Sequence, residues 1–129
     1  MIPQALIDDL EVLKERGRNF ETIESDGKIY IFFKDFQLPS GIYSSETTDL
    51  LFFTTPNYPD AGFDMFFTDE KLTLKNGTDP RSASSKVPHL NRTWRQFSYH
   101  PYNNKPWNPS EDSVGSFMEY VLQRLKIGD

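Results

Sequence analysis

The order of hydrophobic patterns along the chain is the feature that most constrains its fold. The sequence begins and ends with helical periodicity, and the segments between have the alternation and aromatic content of β-strands. Near the start, Leu6, Leu10 and Leu13 recur at the spacing of one helix face. We therefore predict a helix over about residues 3–16, ended by Gly17.

The last part of the sequence predicts a second helix. Ser110 is a suitable N-cap residue, and Glu111 and Asp112 suit the positive end of a helix dipole. The apolar residues that follow have the spacing of a helix face packed on a sheet. They are Val114, Phe117, Met118, Val121, Leu122 and Leu125.

Between the helices, the pattern predicts four strands. Asp26-Gly27 is a typical two-residue hairpin turn, and a polar stretch over residues 75–91 predicts a long irregular loop. Consecutive strands between helices indicate an α+β fold, here a single domain spanning 1–129. We expect a four-stranded antiparallel meander covered by helices on one side. The predicted strands cover residues 20–24, 28–33, 49–55 and 63–68.

The composition excludes several functional classes. The 129 residues contain no cysteine, which rules out disulfides, iron–sulfur clusters, thiolate zinc sites and a cysteine nucleophile. His89 and His100 are in no metal-ligand motif and no glycine-rich phosphate loop is present, so we expect neither a metal nor a cofactor. The net charge of −5 argues against nucleic-acid binding. Because we find no secretory signal and no apolar run of the ~18–20 residues that span a bilayer, we expect a cytoplasmic protein without membrane binding.

Positive charge is concentrated in one part of the chain. Residues 1–70 hold 5 basic and 14 acidic residues, whereas residues 71–129 hold 9 basic and 5 acidic ones. The basic region is either an ordinary solvated loop region, the simpler interpretation, or a docking surface for an acidic partner or a carboxyl terminus. Its basic residues are Lys71, Lys75, Arg81, Lys86, Arg92, Arg95 and Lys105.

The segment 93–101 contains the residues best suited to nucleophilic chemistry. If the segment is extended, Ser98 and His100 lie on one strand face with Gln96, and Phe97 and Tyr99 lie on the other. A hydroxyl and an imidazole side by side are typical of a nucleophile with its base. A solvated strand face with the same residues is the simpler alternative.

A Pro-x-Tyr-Pro corner at 56–59 follows the third predicted strand, and a Trp-x-Pro at 107–109 precedes the second helix. Together with the order of helices and strands, these motifs resemble the ubiquitin-conjugating (E2) fold. The chain is more similar still to a divergent bacterial branch, the prokaryotic E2-like family E, whose pattern contains Tyr-Pro-Asp, Phe/Trp-Thr-Asp and Trp-Arg-x-Phe/Trp-Ser-x-His segments. These segments correspond here to residues 58–60, 67–69 and 94–100, and the resemblance covers roughly residues 20–125.

The resemblance implies a carrier in bacterial ubiquitin-like conjugation. An E1-like (ThiF-type) enzyme would load the C-terminus of a ubiquitin-like protein onto this chain, which would pass it to an amine or another acceptor. A conventional E2 carries the modifier on a cysteine shortly before the Trp-x-Pro, and this chain has none. Counting back from Trp107, the matching region is Ser98 to His100, which implies an ester on Ser98 with His100 as general base.

The resemblance and the charge pattern give roles to further residues. The His-Pro-Asn element of conventional E2 proteins is missing upstream, so its oxyanion-stabilising Asn must be replaced. Asn91, Asn103 and Asn104 are alternative donors. We expect Lys71, Lys75, Arg92 and Arg95 to bind the partner, and Trp94, Tyr58, Pro59, Trp107 and Pro109 to support the site.

Three interpretations of the function stay open. The first is a catalytic carrier acting through Ser98 and His100, supported because both residues share one predicted strand face and match the family segment together. The second is a non-catalytic E2-like module that binds a ubiquitin-like protein or scaffolds a complex, as loss of the cysteine would suggest. The third is a plain α+β domain with an accidental likeness.

Overall fold

The α+β class is confirmed, with two helices and six strands. The computed structural model describes all of residues 1–129. Each predicted helix and strand has its counterpart within a few residues of the expected bounds, and two further strands follow. The elements are α1 (Gln4–Glu15), β1 (Glu21–Ser25), β2 (Lys28–Gln37), β3 (Thr47–Thr54), β4 (Phe66–Asp69), β5 (Lys86–His89), β6 (Arg92–Phe97) and α2 (Val114–Ile127).

All six strands form one antiparallel sheet in the order β1-β2-β3-β4-β6-β5. The predicted four-stranded meander is therefore wrong in its strand number, because β5 and β6 form a hairpin partly within the predicted loop. β5 was not predicted because it contains Pro88, and proline cannot donate a hydrogen bond to a neighbouring strand. β5 is, however, an edge strand, where proline is tolerated. The hairpin turn is made by Leu90 and Asn91, with φ of 53° and 61°, without the glycine that usually signals such a turn.

Both helices pack on one face of the sheet. Leu6, Leu10 and Leu13 of α1 and the apolar stripe of α2 belong to one cluster of 22 buried residues that includes Ile31 and Phe52 from the sheet. Burial of these apolar side chains is the main stabilising contribution to the fold. The opposite face carries a smaller buried cluster of Tyr30, Leu51, Phe67 and Trp94.

Helix α2 begins one turn later than the sequence predicts. Ser113, not Ser110, is the N-cap residue: its side chain accepts from the backbone N–H of Ser116, whose own side chain accepts from the backbone N–H of Ser113. This reciprocal capping box competes successfully with Ser110 because it satisfies two backbone donors at once. Asp112 instead accepts from the backbone N–H of Asn108 at 2.9 Å, which closes the turn before the helix.

Neither helix has the length and apolar character that crossing a bilayer requires.

Candidate functional site

The Pro-x-Tyr-Pro corner is a buried junction between the two helices. Tyr58 precedes a cis peptide bond to Pro59 and is almost fully buried. Its hydroxyl donates to Oδ2 of Asp9 on α1 at 2.6 Å and accepts from the backbone N–H of Val114 in α2 at 3.1 Å. Burial, and then the hydrogen bond to Asp9, raises the pKa of Tyr58, so the phenol keeps the proton that it donates.

Trp107 of the Trp-x-Pro motif closes over this corner. Its indole Nε1–H donates to the carbonyl oxygen of Pro59 at 2.7 Å. The ring lies directly over Gly62, where a Cβ would overlap the indole, and packs against Tyr58 and Phe63 with 6.1 Å between ring centroids. The two family motifs therefore form one unit, while Pro109 lies in the exposed turn before α2.

Ser98 is the first residue beyond β6. Its backbone N–H donates to the carbonyl oxygen of Ser82 at 2.9 Å, which holds it against the segment before β5. Its Oγ accepts from Nε2 of Gln96 at 3.1 Å, so these two side chains share one side of the chain, as the alternation predicted. Because Gln96 donates, the O–H proton of Ser98 is free for donation to a base.

His100 pairs with a carboxylate rather than with Ser98. Its Nδ1 is 2.9 Å from both carboxylate oxygens of Asp64. The strand that would place Ser98 and His100 on one face ends before His100, because the pair Phe66 and Phe97 is the last between β4 and β6. The two residues thus lie in one short segment but are not hydrogen-bonded to each other.

The three asparagines lie at two different places. Asn91 forms the β5–β6 turn, and the six residues of β6 separate it from Ser98, so the seven residue steps span about 23 Å at ~3.3 Å per residue. Asn91 is therefore too far away to stabilise an oxyanion at Ser98. Asn103 and Asn104 are exposed and come three and four residues after His100, and the backbone N–H of Asn103 donates to the carbonyl oxygen of His100 at 3.3 Å.

Arg95 is not available to a partner. It is 2% exposed, and its Nη1 donates to Oδ1 of Asp79 at 2.9 Å and to the carbonyl oxygen of Ala83 at 2.6 Å. A buried cation needs such partners to offset its lost hydration. Arg95 therefore braces the segment that contains Ser82, and the expectation that it binds a partner is not retained.

Arg92 is also engaged within the chain. Its guanidinium donates to Asp49 at 2.9 Å and to Asp69 at 2.7 Å, and it stacks 3.9 Å from the centre of the Trp94 ring. Trp94 is itself buried and donates from Nε1 to the carbonyl oxygen of His89 at 2.9 Å, so it stabilises the β5–β6 hairpin. Both residues lie toward the end of β6 that is remote from Ser98.

Lys71 and Lys75 remain as exposed basic residues without an ion pair. Lys71 follows the end of β4 at Asp69, whereas Phe66 at the other end of β4 pairs with Phe97 beside Ser98. Lys71 therefore lies beyond the end of β4 that is opposite to Ser98.

Sequence reasoning missed Asp64, which the fold brings to His100 across 36 residues of sequence. No periodicity links two positions so far apart, and their approach depends on the pairing of β4 with β6. The available signal was local: Asp64 is the one charged residue in the apolar run 63–67. Asp64 also lines a surface cavity of about 220 Å³ with Phe53, Thr54, Thr55, Gly62 and Met65.

The sequence model described as prokaryotic E2 family E matches residues 5–127. The chain belongs to this family. No curated protein and no solved structure matches the chain.

Family E membership confirms the resemblance that the motifs indicated and gives the chain an E2-like role in ubiquitin-like conjugation. E2-like proteins in general interact with an E1-like enzyme and a ubiquitin-like protein. Ser98, His100 and Asp64 all lie within the part of the chain that matches family E.

Proposed function

We propose that this family E chain is an E2-like carrier that acts in the cytoplasm and holds the C-terminal acyl group of a ubiquitin-like protein as an ester on Ser98. An E1-like enzyme of the ThiF type supplies the acyl group, and an amine or another nucleophile accepts it. The observation that carries the proposal is the position of Ser98, whose free O–H lies two residues before a carboxylate-paired histidine in the segment that precedes Trp107.

The chemistry of a hydroxyl carrier requires a base. A serine hydroxyl is barely ionised at neutral pH, so the attack on an acyl donor needs a group that takes its proton. His100 is the nearest candidate along the chain and is 38% exposed in its side chain, so it can accept a proton at the surface. Asn103 and Asn104 are the remaining candidates for stabilising the oxyanion that forms during attack.

A loading assay tests the proposal. The chain is incubated with ATP, the E1-like enzyme and the ubiquitin-like protein of its own genome, and the products are separated with and without thiol reductant. We expect an adduct that resists the reductant and is cleaved by hydroxylamine, and we expect Ser98→Ala to abolish it. Ser82→Ala is a matched control, because Ser82 is an exposed serine beside Ser98 whose contact is made by its backbone carbonyl. An unchanged adduct in Ser98→Ala would contradict the assignment of Ser98 as the residue that carries the ester.

A second candidate function is a non-catalytic module that binds a ubiquitin-like protein or scaffolds its complexes. It is favoured by the complete absence of cysteine and by the lack of a hydrogen bond between Ser98 and His100. Under this function the loading assay gives no covalent adduct, whereas the chain still binds the ubiquitin-like protein in a titration. That pair of results would replace the carrier proposal.

A further inference from the structure

The backbone at Asp64 is held by buried rings on both sides. Phe63 stacks on Phe117 of α2 with 5.3 Å between centroids, and Phe66 stacks on Phe97 of β6 at 4.6 Å. All four rings are at most 3% exposed. These buried neighbours therefore hold the backbone of Asp64 in place, although the Asp64 side chain is 58% exposed.

The same aromatic layer holds the chain around His100. Tyr99 packs edge-on against Phe66 with 6.4 Å between centroids, and Tyr102 packs edge-on against Trp107 at 5.1 Å. Both tyrosines are half-buried and pack against the main core. The carboxylate and the imidazole thus meet because their flanking residues are anchored in one core, not because two mobile surface side chains happen to touch.

The contact determines which ring nitrogen carries the proton. A carboxylate can only accept hydrogen bonds, so Nδ1, at 2.9 Å from Asp64, must be the protonated nitrogen of the neutral ring. The lone pair then resides on Nε2, which has no hydrogen-bond partner in the chain. An imidazole with its Nδ1–H held and its Nε2 free is the arrangement that a general base needs.

We infer that Asp64 is a positioning residue: it holds His100 in the tautomer whose Nε2 accepts the Ser98 proton and stabilises the imidazolium that results. This inference rests on the proposed carrier function. In the loading step, Ser98 Oγ bonds to the carbonyl carbon of the modifier's C-terminal thioester on the E1-like enzyme, and the Ser98 proton moves to His100 Nε2. The carbon–sulfur bond breaks, and the leaving thiolate takes that proton from His100, while Asp64 stays ionised throughout.

Nuclear magnetic resonance of the two imidazole rings tests the tautomer without any partner protein. The probe is the ¹H–¹⁵N ring correlation spectrum at pH about 8.5, chosen to observe the neutral rings. We expect the Nδ1–H form of His100 in the wild type and a shift toward Nε2–H, the preferred form of free histidine, in Asp64→Asn. His89 is an internal control in the same spectrum, because its Nδ1 lies 2.9 Å from the hydroxyl of Tyr30 and is not hydrogen-bonded to Asp64.

The rate of ester formation tests the catalytic part. Asp64→Asn should slow loading about 10–100-fold, less than the ~10⁴-fold seen for a buried triad carboxylate, because water reaches this pair. Asp64→Glu should restore most of the rate. Asp60→Asn is the matched control, since Asp60 is an exposed carboxylate of the same segment without a side-chain partner in the chain, and it should leave the rate unchanged.

The outcomes separate this inference from the carrier proposal. An Asp64→Asn variant with an unchanged His100 tautomer or an unchanged loading rate overturns the positioning role. A wild-type chain that forms no adduct contradicts the carrier function, and the catalytic part of the inference falls with it, even if the tautomer depends on Asp64. An Asp64-dependent tautomer together with slow loading that Asp64→Glu rescues supports both.

Discussion

Gly62 shows how single residues shape the candidate site. It lies in the segment between the Tyr58–Pro59 corner and Asp64, and the absence of a side chain lets the indole of Trp107 rest on its backbone. The indole in turn donates to the carbonyl of Pro59, so one small residue permits the contact that ties the segment to the chain before α2. The position requires glycine for space.

We therefore predict that Gly62→Ala destabilises the fold by about 1–3 kcal/mol, the usual cost of inserting a methyl group into a packed contact. The matched control is Gly115→Ala in α2, whose added Cβ would meet only Ser113 Oγ at 3.4 Å and Arg16 Nη1 at 3.7 Å. Because alanine is the better helix former, that control should be neutral or stabilising by up to about 1 kcal/mol. Denaturant unfolding of both variants checks this prediction. Equal free energies of unfolding for the two variants would contradict the close packing of Trp107 on Gly62.

At the scale of elements, the β5–β6 hairpin depends on a partly buried histidine. His89 lies against the rings of Phe67, at 4.6 Å, and Phe53, at 5.5 Å, and its Nδ1 meets the hydroxyl of Tyr30 at 2.9 Å. Burial, and secondarily the positive charge of Lys28, lowers the pKa of His89. The folded hairpin therefore favours the neutral imidazole.

This shift predicts a loss of stability in acid. The unfolded chain binds a proton at His89 near the ordinary pKa of 6.5, whereas the folded chain does so only at lower pH. Below about pH 6.5 the unfolded state thus binds more protons, and the free energy of unfolding decreases as the pH falls toward the lowered pKa of the folded state. His89→Gln should show a smaller decrease between about pH 7.5 and 5.5, measured by denaturant unfolding. An equal decrease in both proteins would show that His89 does not titrate this way.

Elements with a local, periodic sequence pattern could be predicted from the sequence, whereas features that depend on long-range strand pairing could not. The helices were predictable because their apolar stripes are local and periodic, as Leu6, Leu10 and Leu13 show. β5 was missed because Pro88 and a turn without glycine hide a short edge strand. For the site, the motif assigned Ser98 and His100, but the pairing of His100 with Asp64 depends on which strands become neighbours, and that information is not local.

At the scale of the whole molecule, charge is unevenly distributed. Of the basic residues proposed to bind a partner, Arg95 is buried and Arg92 is paired with Asp49 and Asp69, which leaves Lys71 and Lys75 exposed. The chain as a whole has a net charge of −5, so these two exposed lysines are the positive charges left in this set for the proposed binding of an acidic partner. Exposed charges of this kind act mainly on the rate of association.

We predict that reversing these two charges, in Lys71→Glu with Lys75→Glu, slows loading about two- to tenfold at low salt, with the difference shrinking as salt screens the charges. The free energy of unfolding should change by no more than about 0.5 kcal/mol, as is usual for exposed positions. Lys34→Glu is the control, since Lys34 is exposed on β2, outside the basic region. Equal loading by the reversed variant and the control would leave the basic region as ordinary solvated surface.

The proposed carrier cycle depends on Ser98 as the residue that holds the modifier. The most direct measurement is to load Ser98→Cys with the E1-like enzyme and the ubiquitin-like protein and to expose the adduct to a thiol reductant. We expect a change from a reductant-resistant ester in the wild type to a reductant-sensitive thioester in the variant. An adduct of Ser98→Cys that still resists the reductant, or that mass spectrometry locates on another residue, would contradict it.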